Sequence, residues 1–474
     1  MQYFGFDAYE KSIQKAGMSV VFMANEGEHD LIIVAPGEGA EYAVNPGFTE
    51  TEQREGTITA PLNHNNAQIL RKLFPFTAPI RGLRKYRSFG VGDRLGIATP
   101  GHIRVFEKND VFPIFAQQSI RELNLTGRTY EDVLDAVSFA VFREGFTRGF
   151  GADGDHLKTV KDVEYALSLG FTMITLDCSD HIKNSITEEN APPLPPKYRD
   201  AYLGKTFNIG EGIALSFTEA ELRQSTAIYG EALNFAVDMY RRFLADGKYN
   251  ADFEISIDET ASITTPLQHF FVARELIEAG VSFATIAPRF CGEFQKGIDY
   301  IGDIAQFEKE IQVHAVIARH FGYKLSIHSG SDKFSVFPAI DVETRGVFHV
   351  KTAGTNWLEA MRVVAQTDPT LYREVHRYAL AAFDEASKYY HVTTDLSKVP
   401  DVDSLSAGEL PMLFENNDSR QLIHITYGLI LSKKNPDGSY AFRDRLYTLW
   451  RKHHEEYSKT LEKHIGKHLA LLGV

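Results

Sequence analysis

The chain is short of cysteine, with Cys178 and Cys291 the only two among 474 residues. Two thiols cannot build a disulfide framework, which points to a reducing compartment. Both read as small buried thiols rather than nucleophiles. No stretch approaches the roughly 18 uninterrupted apolar residues of a membrane span, so no membrane is expected as a partner. The start, Met1-Gln-Tyr-Phe-Gly-Phe-Asp-Ala8, shows no basic segment leading into an apolar run. No signal peptide is therefore expected, and a cytoplasmic location follows. Positive charge is also in deficit: 50 Lys and Arg against 63 Asp and Glu leave a net −13, with no basic stripe. That excludes nucleic acid as a partner. An anionic small molecule stays open, because local charge decides recognition. No dinucleotide glycine motif follows a strand, no Walker A pattern occurs, and no Gly-x-Ser-x-Gly elbow marks a serine hydrolase. Cysteine and histidine spacings of structural zinc sites are missing too. Internal repeats and low-complexity linkers are likewise absent.

What remains is an ordinary globular composition, 43% hydrophobic and 24% charged. From residue 88 onward, strand-like runs alternate with helical patterns, the arrangement of parallel strands with crossover helices. The strands are expected at 89–98, 111–117, 150–153, 172–177, 252–258, 281–287, 323–328 and 347–351. Eight such strands close a barrel. Helices fill 130–142, 219–244, 266–279, 304–321 and 356–364. The predicted fold is an α/β, TIM-type (β/α)8 barrel over 85–366. A β-rich subdomain over 1–84 precedes it, with strands at 18–23 and 30–35 and a polar 42–60 punctuated by Gly, Pro and Asn. A helical extension over 367–474 follows, with long helices at 372–390 and 443–471, packed on the barrel. The 180–218 interruption carries Pro192-Pro-Leu-Pro-Pro196 and reads as a rigid loop.

The stretch Ala152-Asp-Gly-Asp-His-Leu-Lys158 carries the most chemistry. It displays Asp155 and His156 where a strand hands over to a helix whose apolar face is Val160, Val163, Ala166 and Leu167. Barrels place their active sites at such strand ends. Adjacent side chains on extended backbone diverge, so one member can hold a metal while the other moves a proton. The other strands also finish on polar groups: Asp93 and Arg94, Gln117, Asp177 with Asp180 and His181, Asp258 and Glu259, Arg289 and Glu293, His328 with Lys333, and Lys351. A divalent metal needs two or three His or carboxylate ligands. His156 and His328 are the best pair and Glu293 the expected third ligand, with Asp177 and Glu259 as substitutes. Mixed N and O donors leave Zn, Mn, Ni and Co undistinguished. His269, His314 and His320 fall in helical patterns and read as partly exposed helix-face histidines.

The order Gly154-Asp-His156, Leu176-Asp-Cys178, Glu254 to Glu259 and His328-Ser-Gly330 resembles the metal-dependent class II aldolases and their noncatalytic relatives. A closer resemblance spans essentially the whole chain. Gly92-Asp-Arg-Leu-Gly96, Ala152 to Lys158, Phe348-His-Val-Lys-Thr-Ala-Gly-Thr-Asn356 and Asn417-Asp-Ser-Arg-Gln421 are similar to the tagaturonate/fructuronate epimerases. The resemblance implies interconversion of two ketouronates that differ at C4, using a divalent metal, in hexuronate catabolism. Because C4–H is not α to the C2 ketone, enolisation cannot invert that centre. Retro-aldol cleavage of C3–C4, rotation of the aldehyde and re-formation of the bond can, given a Lewis acid and a group to move the hydroxyl proton.

On this reading Asp155, beside a metal-ligand candidate, is kept ionised by the metal cation and accepts a proton. Glu259, if its strand end is partly buried, has a raised pKa and donates one. The substrate-binding candidates are Asp93, Arg94, Gln117, Asp177, Arg289, Lys333, Lys351 and Arg420, the cations among them for a sugar-acid carboxylate. A class II-type aldolase or ketose isomerase, or a noncatalytic aldolase-like subunit, is the alternative. A homo-oligomer is open.

Overall fold

The computed structural model describes every residue except Glu28 and Ala261. Eight parallel strands close into a barrel: β1 (Arg87–Val91), β2 (Phe112–Ser119), β3 (Gly151–Leu157), β4 (Met173–Asp177), β5 (Asp252–Ile257), β6 (Thr285–Pro288), β7 (Lys324–Ile327) and β8 (Phe348–Thr352). Each pairs with its chain neighbours, and β8 closes on β1 through Phe348 opposite Arg87 to Thr352 opposite Val91. This is the expected TIM-type barrel.

Period-two alternation along these strands decides what lies inside. Phe89, Val91, Ile174, Leu176, Phe253, Ile255, Ile257, Leu325, Ile327, Phe348 and Val350 belong to the apolar cluster shared with the surrounding helices. Their alternates meet across the axis instead: Lys324 Nζ donates to Ser88 Oγ (2.7 Å), and Ser88 Oγ lies 3.0 Å from His349 Nδ1. The barrel interior is therefore largely polar, with a small apolar cluster that includes Phe112, Ile114 and Met173, and the main hydrophobic core is the annulus between strands and helices.

Boundaries differ from expectation where turn chemistry overrides composition. β1 stops at Val91, because the Asp93 carboxylate gathers the amides of Leu95, Gly96 and Ala98 and turns the chain into helix Thr99–Phe106. The Pro-rich interruption is not all loop. Pro196 occupies a first-turn position of helix Pro196–Tyr202, where its missing donor costs nothing, and a hairpin (Phe207–Gly210, Ile213–Leu215) follows. The segment 42–60 also holds strands, Glu52–Arg54 and most of Thr57–Pro61, paired antiparallel. They complete a seven-stranded sheet whose Val21, Met23, Ile32 and Val34 pack with Phe139 and Phe142 of barrel helix Tyr130–Glu144.

In the C-terminal part, the expected helix over 443–471 breaks at His453 into Arg443–Lys452 and His454–Leu471. Trp357, Leu358 and Met361 of the helix after β8, Thr355–Thr367, share one core with Leu371, Tyr372, Leu446 and Trp450. The extension thus grows out of the last barrel helix.

His269 and His314 are fully buried rather than partly exposed, their Nδ1 atoms 2.8 Å apart. His320 is exposed, as read. Burial pushes His314 and His376 down to about 4, and burial reinforced by Lys324 and Lys351 pushes His349 to about 3. These side chains stay neutral in the fold but protonate near pH 6.5 once unfolded. The unfolded chain then binds more protons, so stability falls as pH drops from about 6.5 toward 4. Urea denaturation in chelator at pH 7.5 and 5 should show the loss, on the order of 1–2 kcal/mol for each fully buried histidine. Equal midpoints would contradict it.

Candidate active site

The site sits at the C-terminal mouth of the barrel, in a cavity of about 300 Å³. Its floor is a buried ionic cluster around Lys351 on β8. The Lys351 Nζ lies 2.6 Å from Asp153 Oδ2, 2.5 Å from Asp155 Oδ1, 3.2 Å from Glu254 Oε1 and 2.6 Å from Thr175 Oγ1. Thr175 and Thr285 donate to opposite oxygens of Glu254, at 3.1 and 2.5 Å. Three carboxylates thus share one ammonium. Burial, reinforced by Asp155 and Glu254 and opposed by Lys351, pushes Asp153 up to about 6. Burial would raise Asp155 too, but Lys351, His156 and His328 outweigh it and hold this carboxyl at about 2. Lys351 is the foremost cation holding Asp155 ionised, the role that the sequence reading gave to a bound metal.

A backbone irregularity brings Asp155 and His156 together. The register between β3 and β4 slips between Gly154 and Leu157, and His156 adopts φ +52°. On regular strand the two side chains would leave on opposite faces. In the bulge the His156 Nε2 comes within 3.8 Å of Asp155 Oδ1, while its Nδ1 lies 3.4 Å from Asp177 Oδ2. The expected divergence is thus overturned, while the pair does lie where the strand hands over to a helix, on the last residues of β3 just ahead of helix Val160–Ser168. A left-handed non-glycine residue is strained, and such strain concentrates at functional sites.

His328 stands opposite, its ring centroid 5.0 Å from that of His156. Its Nε2 lies 2.8 Å from Glu254 Oε1 and its Nδ1 3.2 Å from Asp258 Oδ1. Burial opposes protonation, but Asp258 and Glu254 prevail and raise His328 to about 10.

Donor atoms of His156, Asp177 and Glu259 lie within 4.8 Å of one another. Within this group His156 Nδ1 and Asp177 Oδ2 are buried without a hydrogen-bond partner, as is His328 Nδ1 nearby. Orphaned buried donors and acceptors are costly. A mixed imidazole and carboxylate set in an acid-rich pocket therefore fits a divalent cation. The two expected histidines face each other, and the substitutes Asp177 and Glu259 complete the donor set. Glu293 does not join it: its carboxylate lies 3.5 Å from His391 Nε2 on the cavity rim, and its backbone bridges to Ile301. Glu259 is exposed, so the burial argument for a proton-donating role falls away. The less exposed acid at that strand end is the half-buried Asp258, which Ser256 Oγ supports at 2.5 Å.

The substrate-binding candidates divide sharply. Asp93 holds a turn and lies outside the cavity lining. Lys333 is fully buried and donates to three carbonyls, of Gln295, Ile298 and Ser331. Arg420 is spent on Asp332 (2.7 Å) and on the carbonyls of Gly297 and Phe414. Arg94, Gln117, Arg289 and Lys351 do line the cavity. Arg94 is ion-paired with Glu122 at 2.6 Å, and Arg289 donates to the Thr260 carbonyl. Gln117 donates to the Thr352 carbonyl at 3.2 Å. Sequence reasoning missed Arg121, Lys296 and His424 on the same lining. His424 follows the Asn417–Gln421 motif by three residues, which was the available signal.

Both thiols are buried; burial pushes Cys291 up to about 11 and Cys178 higher.

The family model for tagaturonate epimerase matches residues 9–472. A tagaturonate/fructuronate epimerase of Thermotoga maritima is 46% identical, over 99% of this chain and 97% of that protein. The native crystal structure of fructuronate-tagaturonate epimerase UxaE from Cohnella laeviribosi is 47% identical, with a TM-score of 0.94 over 99% of this chain and 97% of that one. A two-glycerol complex of the same enzyme superposes equally well, with a TM-score of 0.94.

Replacing Lys351 with Met should leave Asp153, Asp155 and Glu254 buried without their cation, at a cost of roughly 3–5 kcal/mol at pH 7.5. Their carboxyls would then take up protons more readily than in the unfolded chain, so the deficit against wild type should shrink as pH falls toward 5. A deficit equal at both pH values would assign Lys351 a packing role only.

Proposed function

Because the chain belongs to the tagaturonate epimerase family, whose members are isomerases, we propose that it inverts C4 of D-tagaturonate to give D-fructuronate by metal-assisted retro-aldol and aldol chemistry. The observation that carries this reading is the pairing of an ionised Asp155 with an adjacent imidazole and carboxylate donor set at the mouth of a barrel. The set His156, Asp177 and Glu259, with His328 beside it, would hold the divalent cation. When bound, the cation supplies Lewis-acid stabilisation of negative charge on the substrate's C2 and C3 oxygens.

The side chains account for the remaining steps. Asp155 accepts the C4 hydroxyl proton as the C3–C4 bond breaks. The bonding pair moves toward the C2 carbonyl, leaving a three-carbon enediolate and a three-carbon aldehyde acid. Lys351 keeps Asp155 poised: its ammonium holds the carboxylate ionised before transfer and steadies it by a charge-assisted contact afterwards. The aldehyde turns over, the enediolate carbon attacks its other face, and Asp155 returns the proton to the new C4 hydroxyl. Atoms and charge balance with no co-reactant. A single acid–base group that handles the same oxygen in both directions satisfies reversibility. Asp258 lies beside His328, its Oδ1 3.2 Å from Nδ1.

Incubation with tagaturonate, a divalent metal and D2O tests the route. C4–H becomes the aldehyde hydrogen, so fructuronate should retain protium at C4, and deuterium there would rule out the cleavage mechanism. Asp155→Asn should lower kcat by at least 10³-fold while metal content stays at wild-type level. Near-normal turnover would remove Asp155 from the mechanism. Release of a free three-carbon aldehyde would instead mark an aldolase, and no turnover of any kind would mark a noncatalytic subunit.

A further inference from the structure

The cations first expected to meet the sugar acid are mostly committed to the protein, yet the cavity lining holds another group of side chains with donor atoms to spare. Lys296 reaches only the Ser329 hydroxyl, at 3.2 Å, and has no ion pair among the described residues. Arg121 lies against the Tyr390 ring, 5.3 Å from its centroid, also without a carboxylate partner. His424, from the C-terminal extension, is fully buried and both its ring nitrogens lack a partner. Arg94 Nη1, Gln118 Nε2 and Gln295 Nε2 are orphaned in the same way. All six residues line the one cavity.

The seat of His424 is built to fit. A Cβ at Gly354 would fall 1.9 Å from its Cε1 atom, so only glycine after β8 lets the ring occupy this place. Burial, with Arg94 and Lys296 adding to it, keeps the imidazole neutral, able to donate through one nitrogen. Burying several donors unsatisfied is costly. Such a wall is stable enough to retain when a ligand rich in acceptors, and negative overall, completes it. The acidic part of the lining, Asp155, Asp258 and Glu259, would repel an anion.

We propose that the ketouronate carboxylate docks on Lys296, with Arg121 and His424 beside it, and stays there throughout the reaction. This rests on the epimerase reading above and deepens it. After C3–C4 scission the carboxylate belongs to the aldehyde fragment. Anchored at C6, that fragment can turn its carbonyl over by rotation about C4–C5 without leaving the cavity. The anchor thus sets specificity for acids over neutral ketohexoses and separates epimerisation from aldol release.

Calorimetric binding to the metal-loaded protein tests it, with tagaturonate and its neutral counterpart D-tagatose as probes. Wild type should favour the acid by roughly 100-fold, the worth of one charge-assisted anchor. Lys296→Met should collapse that preference to a few-fold, and Lys296→Arg should restore much of it, with metal content and melting temperature reporting an intact fold. Gly354→Ala, which displaces His424, should also erode the preference. During turnover, Lys296→Met should release trappable three-carbon aldehyde acid. A wild-type preference below about threefold, or one unchanged in Lys296→Met, overturns the proposal. Tight acid binding that disappears in Lys296→Met, in a protein that epimerises nothing, upholds the anchor and removes the reaction instead.

Discussion

One buried ammonium organises this barrel. Lys351 Nζ sits among Asp153, Asp155 and Glu254 in a closed interior, and an ion in such surroundings is tolerable only when countercharges and hydroxyls crowd it. Thr175 and Thr285 complete the shell. Because inward positions on five of the strands are committed to this network, hydrophobic stabilisation has to come from the outward positions and the helices they meet. The same arrangement fixes the chemistry above it. It orients Asp155 at the mouth, supplies most of the charge that keeps it ionised, and presents Glu254 to His328. Packing and reactivity are thus set by a single electrostatic constraint.

The cavity above divides into an acid-rich part and a donor-rich part, and the C-terminal extension forms much of the second. Tyr389, Tyr390, His391 and His424 all belong to it. Its attachment to the β7 end is electrostatic. Asp332 is ion-paired with Arg420 at 2.7 Å and with His464 at 2.6 Å, and its amide donates to His468 Nε2 at 3.0 Å. Asp332, His464 and His468 have a spacing that also suits a metal ion. Their atoms are already satisfied, because His468 Nδ1 contacts the His464 carbonyl at 2.8 Å and Arg420 neutralises the carboxylate. The cluster is a clasp. It ties Arg420, four residues before His424, to the loop that follows the His328 strand end.

The barrel was legible because its outward strand faces are apolar and its helices amphipathic, which is a local pattern. Asp155, His156 and His328 were legible because short polar strings close those strands. What escaped depends on contacts that no spacing encodes. The bulge that turns His156 back toward Asp155 needs a left-handed backbone at a histidine, which composition does not announce. Glu293 and Glu259 look equivalent in sequence, each just past a strand, yet one faces His391 and the other joins the donor set. Lys333 and Lys296 look interchangeable as well; three carbonyls capture the first and leave the second exposed to the cavity. His424 sits 70 residues beyond the last strand motif, Gly354, that makes room for it.

An epimerase that works by bond cleavage faces a problem an aldolase does not. It must hold a fragment firmly enough to prevent escape, yet loosely enough to let it turn. A metal site alone grips the enediolate half and gives the aldehyde half no reason to stay. A second anchor on that half solves the problem if it binds an atom lying outside the reacting bond and close to the axis of rotation. The C6 carboxylate is such a group, two bonds from C4. A barrel mouth by itself offers few donors beyond its own strand ends, most of which here are carboxylates. In the proposed anchor the positive charge comes from Lys296 on the β6 loop and a neutral donor from His424 on the extension, which the Asp332 clasp ties to the loop after β7. On the proposed retro-aldol route, the C-terminal helices would be the part of the fold that turns aldolase-type bond cleavage into inversion at one carbon.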